Sequence, residues 1–351
     1  MFLWFKFIRT YVQIALFFYF KKIKVVGHEN IPKGKPILFV ANHRNGLIDP
    51  ILITTAKPKV LHFLTRASAF KNPIANFLLR SLNMLPIFRI RDGLDSIKKN
   101  QAIFEACYSL FQKNQSVLIF PEGNHGYPRR VRNLSKGFTR IAFGFLDKNQ
   151  DKELYIVPIG LNYTNILRPF RDATLYYGKP FLANAYYNPG DENQSIERLK
   201  SKVYEDLKTL TTHIDDINKH DKIVNILKAE GFDFLDPKTT NERIATLEKM
   251  EQLDTFPIPS IQVKSKSIFQ QTTSTLFIIN TLIPILIWKK IKSKVKDIVM
   301  LSTSRFGISV GLIPFFYLLQ AALMTLIFGK FIGFIYFISS FVLVYIRKYL
   351  N

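Results

Sequence analysis

Cysteine is almost absent from this sequence, and acidic residues are few. The single cysteine, Cys107, excludes an internal disulfide and fits a reducing cytoplasmic environment. Only 26 aspartates and glutamates stand against 49 lysines and arginines, which gives a net charge of +23. Such a chain favours polyanionic partners, either nucleic acid or acidic lipid head groups. No internal repeat or low-complexity tract is evident.

The apolar runs decide between these two partners. Phenylalanine occurs 32 times, and the phenylalanine-rich stretches are long and apolar rather than interleaved with basic residues. A soluble nucleic-acid-binding protein gains nothing from exposing such a surface. The composition therefore predicts a membrane partner and no nucleic acid.

Residues 1–20 are apolar but carry a polar stripe. Four polar side chains fall on one face at helical spacing: Lys6, Arg9, Thr10 and Gln13. This pattern favours a helix that lies in the membrane interface, although a tilted span remains an alternative. A signal peptide is disfavoured, because lysines follow directly at positions 21, 22 and 24 and no small-residue cleavage site appears.

Short β-rich runs alternate with helix-like segments between residues 35 and 180. Ile37–Val40, Val117–Phe120 and Tyr155–Ile159 have the continuous apolar character of buried strands. Helical periodicity is present in Ile97–Gln112 and Ser135–Leu146. We therefore expect an α/β fold with a central, mostly parallel sheet flanked by helices. Polar sequences follow each strand, where open α/β sheets commonly bind ligands.

The C-terminal third of the sequence returns to apolar character. Phe306–Phe328 is long enough to span a bilayer, and Phe331–Ile346 follows after a Gly-Lys turn, which predicts a helical hairpin. Thr275–Trp288 is interrupted by Asn280 and Pro284, so it is either a re-entrant or interfacial piece or the end of a tilted span. Basic residues on both flanks of the hairpin place those flanks in the cytoplasm, with Lys330 at the tip as an exception.

Four regions follow from these patterns. We expect a membrane-associated helix at 1–24, a catalytic domain at 25–185, a helical appendage and linker at 186–265, and a membrane region with the hairpin at 266–351.

A histidine and an aspartate follow the first predicted strand, in the sequence Ala-Asn-His-Arg-Asn-Gly-Leu-Ile-Asp-Pro at 41–50. A turn containing Gly46 can bring Asp49 back to His43. A carboxylate that holds one imidazole nitrogen leaves the other to take a proton from a hydroxyl. The alternative is a loop histidine beside a helix-capping aspartate.

Two further clusters carry charge. Phe120–Gly126 contains Glu122, Gly123 and His125, and five basic residues follow it: Arg129, Arg130, Arg132, Lys136 and Arg140. Such a loop can orient a polyol phosphate, and the alternative for its basic run is a solvated face. Arg89 and Arg91, one residue apart in an extended segment, point the same way and can reach one anion, unless they pair with nearby aspartates.

These clusters and the segment Pro-Ile-Gly-Leu-Asn-Tyr at 158–163, taken in order, resemble the four blocks of the phospholipid/glycerol acyltransferase family. The likeness covers about residues 25–180. Five residues separate His43 from Asp49, where the family's usual first block has four. Fungal-type glycerol-3-phosphate and dihydroxyacetone-phosphate acyltransferases are similar to this chain in that extra residue.

The resemblance implies roles for individual residues. His43 is the expected general base and Asp49 its orienting partner. Arg89 matches the arginine that binds the acceptor phosphate, Glu122 and Gly123 match the acceptor-binding block, and Pro158 matches the acyl-donor block. Asn42 and Arg91 complete the expected substrate-binding set, Arg91 only as a neighbour of Arg89 that the family pattern does not itself match, and the role of His125 stays open.

The implied activity is transfer of a fatty acyl group from an acyl carrier protein or coenzyme A thioester to glycerol 3-phosphate. The enzyme is expected at the cytoplasmic membrane, with its catalytic domain on the cytoplasmic face and without a cofactor or metal. The alternative acceptor is 1-acylglycerol 3-phosphate or another lysolipid. Two remoter alternatives are a metal-dependent phosphohydrolase and a non-enzymatic basic membrane tether.

Overall fold

A computed structural model describes residues 2–56, 61–88, 95–251, 253 and 265–350. Its strands are β1 (Ile23–Val26), β2 (Ile37–Ala41), β3 (Leu61–Arg66), β4 (Met84–Ile87), β5 (Ser116–Ile119), β6 (Tyr155–Tyr163), β7 (Ala173–Tyr177) and β8 (Phe181–Leu182). The helices before the appendage are α1 (Phe2–Tyr19), α2 (Ile48–Ala56), α3 (Pro73–Ser81), α4 (Asp95–Gln112) and α5 (Gly137–Lys148). The later helices are α6 (Glu192–Leu210), α7 (His220–Ala229), α8 (Pro237–Glu248), α9 (Ile268–Asn280), α10 (Leu282–Lys292), α11 (Ile298–Gly311), α12 (Ile313–Phe328) and α13 (Lys330–Leu350).

The strands form one sheet in the order β1-β7-β6-β2-β5-β3-β4, with β8 paired to β6. Strands β6, β2, β5, β3 and β4 are parallel to one another. Strand β7 runs antiparallel to β6, and β1 lies parallel to β7 at the edge. This arrangement confirms the predicted α/β fold with a central, mostly parallel sheet.

Alternation along β2 divides the interior into two apolar layers. Leu38 and Val40 pack on one side with residues of α4, α5 and α6. Ile37 and Phe39 point to the other side, toward residues of α1 and α2. Successive side chains of a strand point to opposite faces, so a strand that is apolar throughout must be covered on both. The central strands are therefore fully buried, and the polar loops after them lie at the sheet's edge.

Helix α1 forms where the sequence predicts it, and its polar stripe faces α2. Arg9 and Gln13 both donate to the carbonyl oxygen of Thr55, at 3.3 and 3.0 Å. Leu16 and Tyr19 are buried in the layer beneath the sheet, whereas apolar side chains on the outer face stay exposed: Leu3, Phe7 and Ile14. The helix therefore packs on the sheet layer with one face and leaves an apolar face exposed.

Two helices of the described chain are long and apolar enough to cross a membrane, namely Ile298–Phe328, which comprises α11 and α12, and Lys330–Leu350. They meet at Gly329, whose φ of 88° is readily adopted only by glycine, so the predicted turn lies where expected. A side-chain carbon at Gly333 would meet Thr325 of α12, and this glycine thus permits close packing of the hairpin. Helices α9 and α10 pass the same test only as a pair bent by 81°.

The appendage is divided between two cores. Helix α6 packs in the layer formed with α4 and α5 through Leu199, Val203 and Leu207. Helices α7 and α8 have a separate small core around Ile223, Leu227 and other apolar residues. The regional boundaries drawn from the sequence stay predictions.

Two histidines of the appendage hold the loop between β5 and α5. The Val131 amide donates to His213 Nδ1 at 2.8 Å, and the Arg129 amide donates to His220 Nε2 at 2.9 Å. The second nitrogen of each ring lies 2.8 Å from an aspartate, Asp215 or Asp221. Because one ring nitrogen must accept, both imidazoles are neutral in this arrangement.

Burial lowers the pKa of His213 and of His220 below the ordinary value, which is about 6.5 in an unfolded chain. Protonation therefore favours the unfolded chain. The stabilisation is complete above about pH 6.5 and is lost as the pH falls through the lower folded-state pKa values. We expect the unfolding temperature to drop more between pH 7.5 and 5 in the natural protein than in a His213→Gln, His220→Gln double variant. Equal drops in fluorescence-monitored melts would contradict this linkage.

Candidate active site

The loop between β2 and α2 brings His43 and Asp49 together. His43 lies two residues past the end of β2, and Asp49 lies in the first turn of α2. His43 Nδ1 is 3.0 Å from Asp49 Oδ2. Asn45 caps the turn that leads into α2, because its side-chain oxygen accepts from the amides of Leu47 and Ile48 at 3.1 and 2.9 Å. The capping task thus falls to Asn45, which leaves Asp49 facing the imidazole.

The Asp49 carboxylate is fully buried and binds four donors. Besides His43, these are the amides of Arg44 and Asn45, at 2.6 and 2.7 Å, and the Tyr163 hydroxyl. Burial, and then the Asp49 charge, raises the pKa of Tyr163 well above its usual value, so this phenol stays a donor. Since Asp49 has only acceptor oxygens when ionised, His43 carries its proton on Nδ1 and leaves Nε2 as the basic nitrogen.

The His43 ring packs against the loop that follows β5. It stacks on Phe120 with ring centroids 4.2 Å apart, and its side chain is 13% exposed. The His43 backbone amide donates to Glu122 Oε1 at 3.1 Å. The imidazole is therefore fixed in place but is still accessible from outside.

Glu122 is bound to the protein through both oxygens. Its second oxygen accepts from Arg132 Nε at 2.6 Å, and the carboxylate side chain is 1% exposed. Burial raises the pKa of Glu122, although the charge of Arg132 opposes the effect. Arg132 also donates to the backbone oxygens of His43 and His125, at 3.2 and 3.1 Å. The pair therefore joins the two loops, and the acceptor-binding role expected for Glu122 stays a prediction.

The other three residues expected to bind substrate, Gly123, Asn42 and Pro158, have different surroundings. Gly123 is exposed, has a φ of 73°, and closes a turn by donating to the Phe120 oxygen at 3.1 Å. The side-chain Oδ1 of Asn42 accepts from Leu161 N at 2.7 Å and its Nδ2 donates to Leu161 O at 3.2 Å, which links the end of β2 to β6. Pro158 is buried in β6 opposite Val40. The substrate-binding roles of these three residues stay predictions, and Arg89 and Arg91 lie outside the described residues.

Arg129 belongs to the interior, so the interpretation of it as part of a solvated face was wrong. Its guanidinium donates to the oxygens of Tyr163 and Thr164, at 2.9 and 3.0 Å, and lies 3.9 Å from the Phe234 ring centre. Burial lowers its pKa, and the nearby charge of Arg44 lowers it further. Arg129 therefore joins the end of β6 to the appendage. The sequence of the basic run alone does not distinguish this buried arginine from its more exposed neighbours.

The C-terminal region also reaches this edge of the sheet. His125 Nε2 lies 3.0 Å from Asp297 Oδ2, and the His125 and His43 rings are 5.9 Å apart in an edge-to-face arrangement. Thr303 of α11 donates to Asn45 Oδ1 at 2.9 Å. The sequence gives no sign that Asp297 or Thr303 belongs to the site, because each lies more than 170 residues along the chain from the residue it contacts.

Of the four residues considered for a metal-dependent phosphohydrolase, His43 and Asp49 pair with each other, and Glu122 and His125 each pair with another residue. Asp49 is occupied by amides, an imidazole and a phenol, Glu122 pairs with Arg132, and His125 pairs with Asp297. Within the described ranges, no three histidine, cysteine, aspartate or glutamate side chains converge as a metal site would require.

The fold and the site together define a class: an α/β protein in which an aspartate holds an imidazole at the carboxyl ends of the strands of a mostly parallel sheet. Residues 22–162 match the model of the Acyltransferase family. The match covers the part of the chain that holds the first three sequence blocks and most of the fourth, and it agrees with the resemblance that these blocks predict.

Known relatives share this part of the chain. A Mycoplasma pneumoniae protein named probable 1-acyl-sn-glycerol-3-phosphate acyltransferase is 28% identical over 144 residues, 39% of this chain and 52% of that protein. Glycerol-3-phosphate O-acyltransferase 2 of Saccharomyces cerevisiae is 26% identical over 182 residues, 48% of this chain and 22% of its own length. The matches therefore span about half of the bacterial relative and less than a quarter of the yeast one.

Among solved structures, the 1-acyl-sn-glycerophosphate acyltransferase PlsC of Thermotoga maritima aligns with a TM-score of 0.43 and 22% identity. The alignment covers 58% of this chain and 79% of that protein.

The Thr303 hydroxyl should steady the His43 loop. We expect Thr303→Val, which keeps the shape but removes the donor to Asn45, to speed amide exchange in residues 42–48 several-fold. Ser304→Ala on the same helix should leave that exchange unchanged. Hydrogen–deuterium exchange by mass spectrometry measures both, and protection unaltered by Thr303→Val would show that α11 does not support the loop.

Proposed function

We propose that the chain is a membrane-bound glycerolipid O-acyltransferase that transfers a fatty acyl group from a thioester to glycerol 3-phosphate. The observation that carries this proposal is the 3.0 Å contact between His43 Nδ1 and the fully buried Asp49. The match of residues 22–162 to the Acyltransferase family supports it. 1-Acylglycerol 3-phosphate is the alternative acceptor, and the name of the mycoplasmal relative favours it.

The reaction follows from the two imidazole nitrogens. His43 Nε2 takes the proton of the acceptor hydroxyl while the oxygen attacks the thioester carbonyl carbon. The new C–O bond forms, the C–S bond breaks, and the imidazolium returns its proton to the departing thiolate. Asp49 stabilises the imidazolium between these steps, because its carboxylate is already in contact with Nδ1.

Glu122 and Arg132 enter this mechanism as positioning residues. Their ion pair holds the His43 backbone at both its amide and its carbonyl. The pair fixes the distance between the His43 base and the loop that joins β5 to α5, where the acceptor is expected. Phosphate binding by Arg89, with Arg91 beside it, remains part of the proposal through the family resemblance.

Membrane attachment supports the same chemistry. Both the acyl chain and the lipid product partition into a bilayer, so an enzyme with apolar helices releases its product without passing it through water. The two C-terminal helices provide that attachment in the proposal. Five lysines in the last turns of α10 and in the segment before α11 favour a cytoplasmic location for the catalytic domain: Lys289, Lys290, Lys292, Lys294 and Lys296.

Removal of the base is the first test. We expect His43→Ala to lower acyl transfer by at least about 100-fold, because general base catalysis contributes roughly 10²–10⁴-fold. Asp49→Asn should also cause a large loss, since it disturbs the tautomer. Thiol release from an acyl thioester measures the rate, and a melt confirms folding. His28→Ala, at an exposed histidine before β2, serves as the control; full activity of folded His43→Ala would refute the mechanism.

The acceptor requires a separate assay. Purified protein is incubated with one acyl thioester, as the coenzyme A or acyl carrier protein form, and with either glycerol 3-phosphate or 1-acylglycerol 3-phosphate. We expect consumption of glycerol 3-phosphate and formation of a monoacylated product. Consumption of the monoacylated lipid alone would reverse the choice of acceptor while leaving the role of His43 intact.

A further inference from the structure

A cleft of about 560 Å³ lies between α1 and the C-terminal helices. Its walls are apolar and aromatic, with side chains that include Phe18, Phe277, Ile285, Trp288, Val310 and Phe341. The volume falls within the range of about 300–1,000 Å³ typical of ligand sites. All of the lining residues fall outside residues 22–162, the part that matches the Acyltransferase family.

Two arginines give the cleft a charge. Arg305 lies 4.8 Å from the Trp288 ring centre and donates to Leu167 O at 2.7 Å, and Arg347 lies 4.4 Å from the Phe277 ring centre. None of the described lining residues is acidic. A guanidinium has five N–H donors arranged to bind phosphate oxygens. An apolar cleft with two cations and no acidic residue in its walls is complementary to a lipid with an anionic head.

The position of the cleft within the chain favours a lipid from the bilayer. It is bounded by α12 and α13, the helices with the composition of membrane spans, through Pro314 and Phe341. We propose that it binds one anionic glycerophospholipid, with an acyl chain between α1 and the C-terminal helices and the phosphate beside Arg305 and Arg347. The proposed lipid takes no part in the acyl transfer itself, because neither His43 nor Asp49 lines the cleft.

The walls of the cleft are connected by contacts to the loop that carries His43. Arg305 is two residues beyond Thr303, which donates to Asn45. Tyr19 lines the cleft, and the adjacent Phe20 packs against Tyr163 with ring centroids 6.3 Å apart. Tyr163 in turn holds Asp49. Occupation of the cleft therefore links the bilayer to the loop that carries His43.

Photo-crosslinking tests the proposal on the full chain in phosphatidylcholine nanodiscs. The probe is phosphatidylglycerol with a diazirine in one acyl chain, and phosphatidylcholine with the same group is run in parallel. We expect adducts in residues 277–288 and 308–314 with the anionic probe at least fivefold above the zwitterionic one. Ala15→Trp, which fills the cleft, should lower them at least fivefold, and Arg305→Gln should abolish the preference for the anionic probe.

Two variants are matched controls. Leu318→Trp, on an exposed face of α12, and Lys290→Gln, on an exposed face of α10, should leave the adducts unchanged.

Adducts spread evenly over the outer helix surface and insensitive to Ala15→Trp would show annular lipid only and overturn the proposal. Equal labelling by the two probes would likewise overturn it. So would displacement of the probe by 1-acylglycerol 3-phosphate at concentrations that support turnover, since the cleft would then be a substrate site. Acyl transfer is measured separately on each preparation, so failure here leaves the proposed activity untouched.

Discussion

The buried carboxylate of Asp49 is the constraint on which the rest of the site depends. An ionised group removed from water costs several kcal/mol unless it is matched by donors. Asp49 finds its donors in its own loop, in the imidazole of His43 and in the phenol of Tyr163 at the end of β6. These contacts require β2, α2 and β6 to meet at one edge of the sheet, and they set the direction of the His43 ring. The fold and the chemistry thus share a single electrostatic requirement.

A second set of contacts surrounds this centre and comes from distant parts of the chain. Glu122 and Arg132 connect the two loops, and Arg129 joins the end of β6 to the appendage. The histidines of the appendage then hold the same loop through its backbone amides, at Arg129 and Val131. Polar groups are numerous here because the loops that meet at a sheet's edge have no regular hydrogen-bonding ladder of their own. The side chains of these loops therefore supply the hydrogen bonds that a ladder would otherwise provide.

Sequence patterns predicted the centre of the molecule well and its edges poorly. Strands β2, β5 and β6 are apolar on both faces, which makes them visible as continuous runs. Strands β1 and β3 contain the polar residues Lys24, His62 and Arg66, so no continuous apolar run marks them. The pairing of His43 with Asp49 was predictable because it is local. Contacts made by Asp297, Thr303 and Tyr163 depend on tertiary packing, and the pairing of Glu122 with Arg132 was hidden among five equivalent basic residues.

The docking of α11 changes what removal of the apolar tail would mean. A chain shortened before Asp297 would lose the partner of His125 and the donor to Asn45 together with its hydrophobic helices. Solubility and an intact catalytic loop therefore cannot be obtained by cutting the chain at that point. Extraction conditions matter for the same reason, since a detergent that loosens α11 would also remove its contact with the His43 loop.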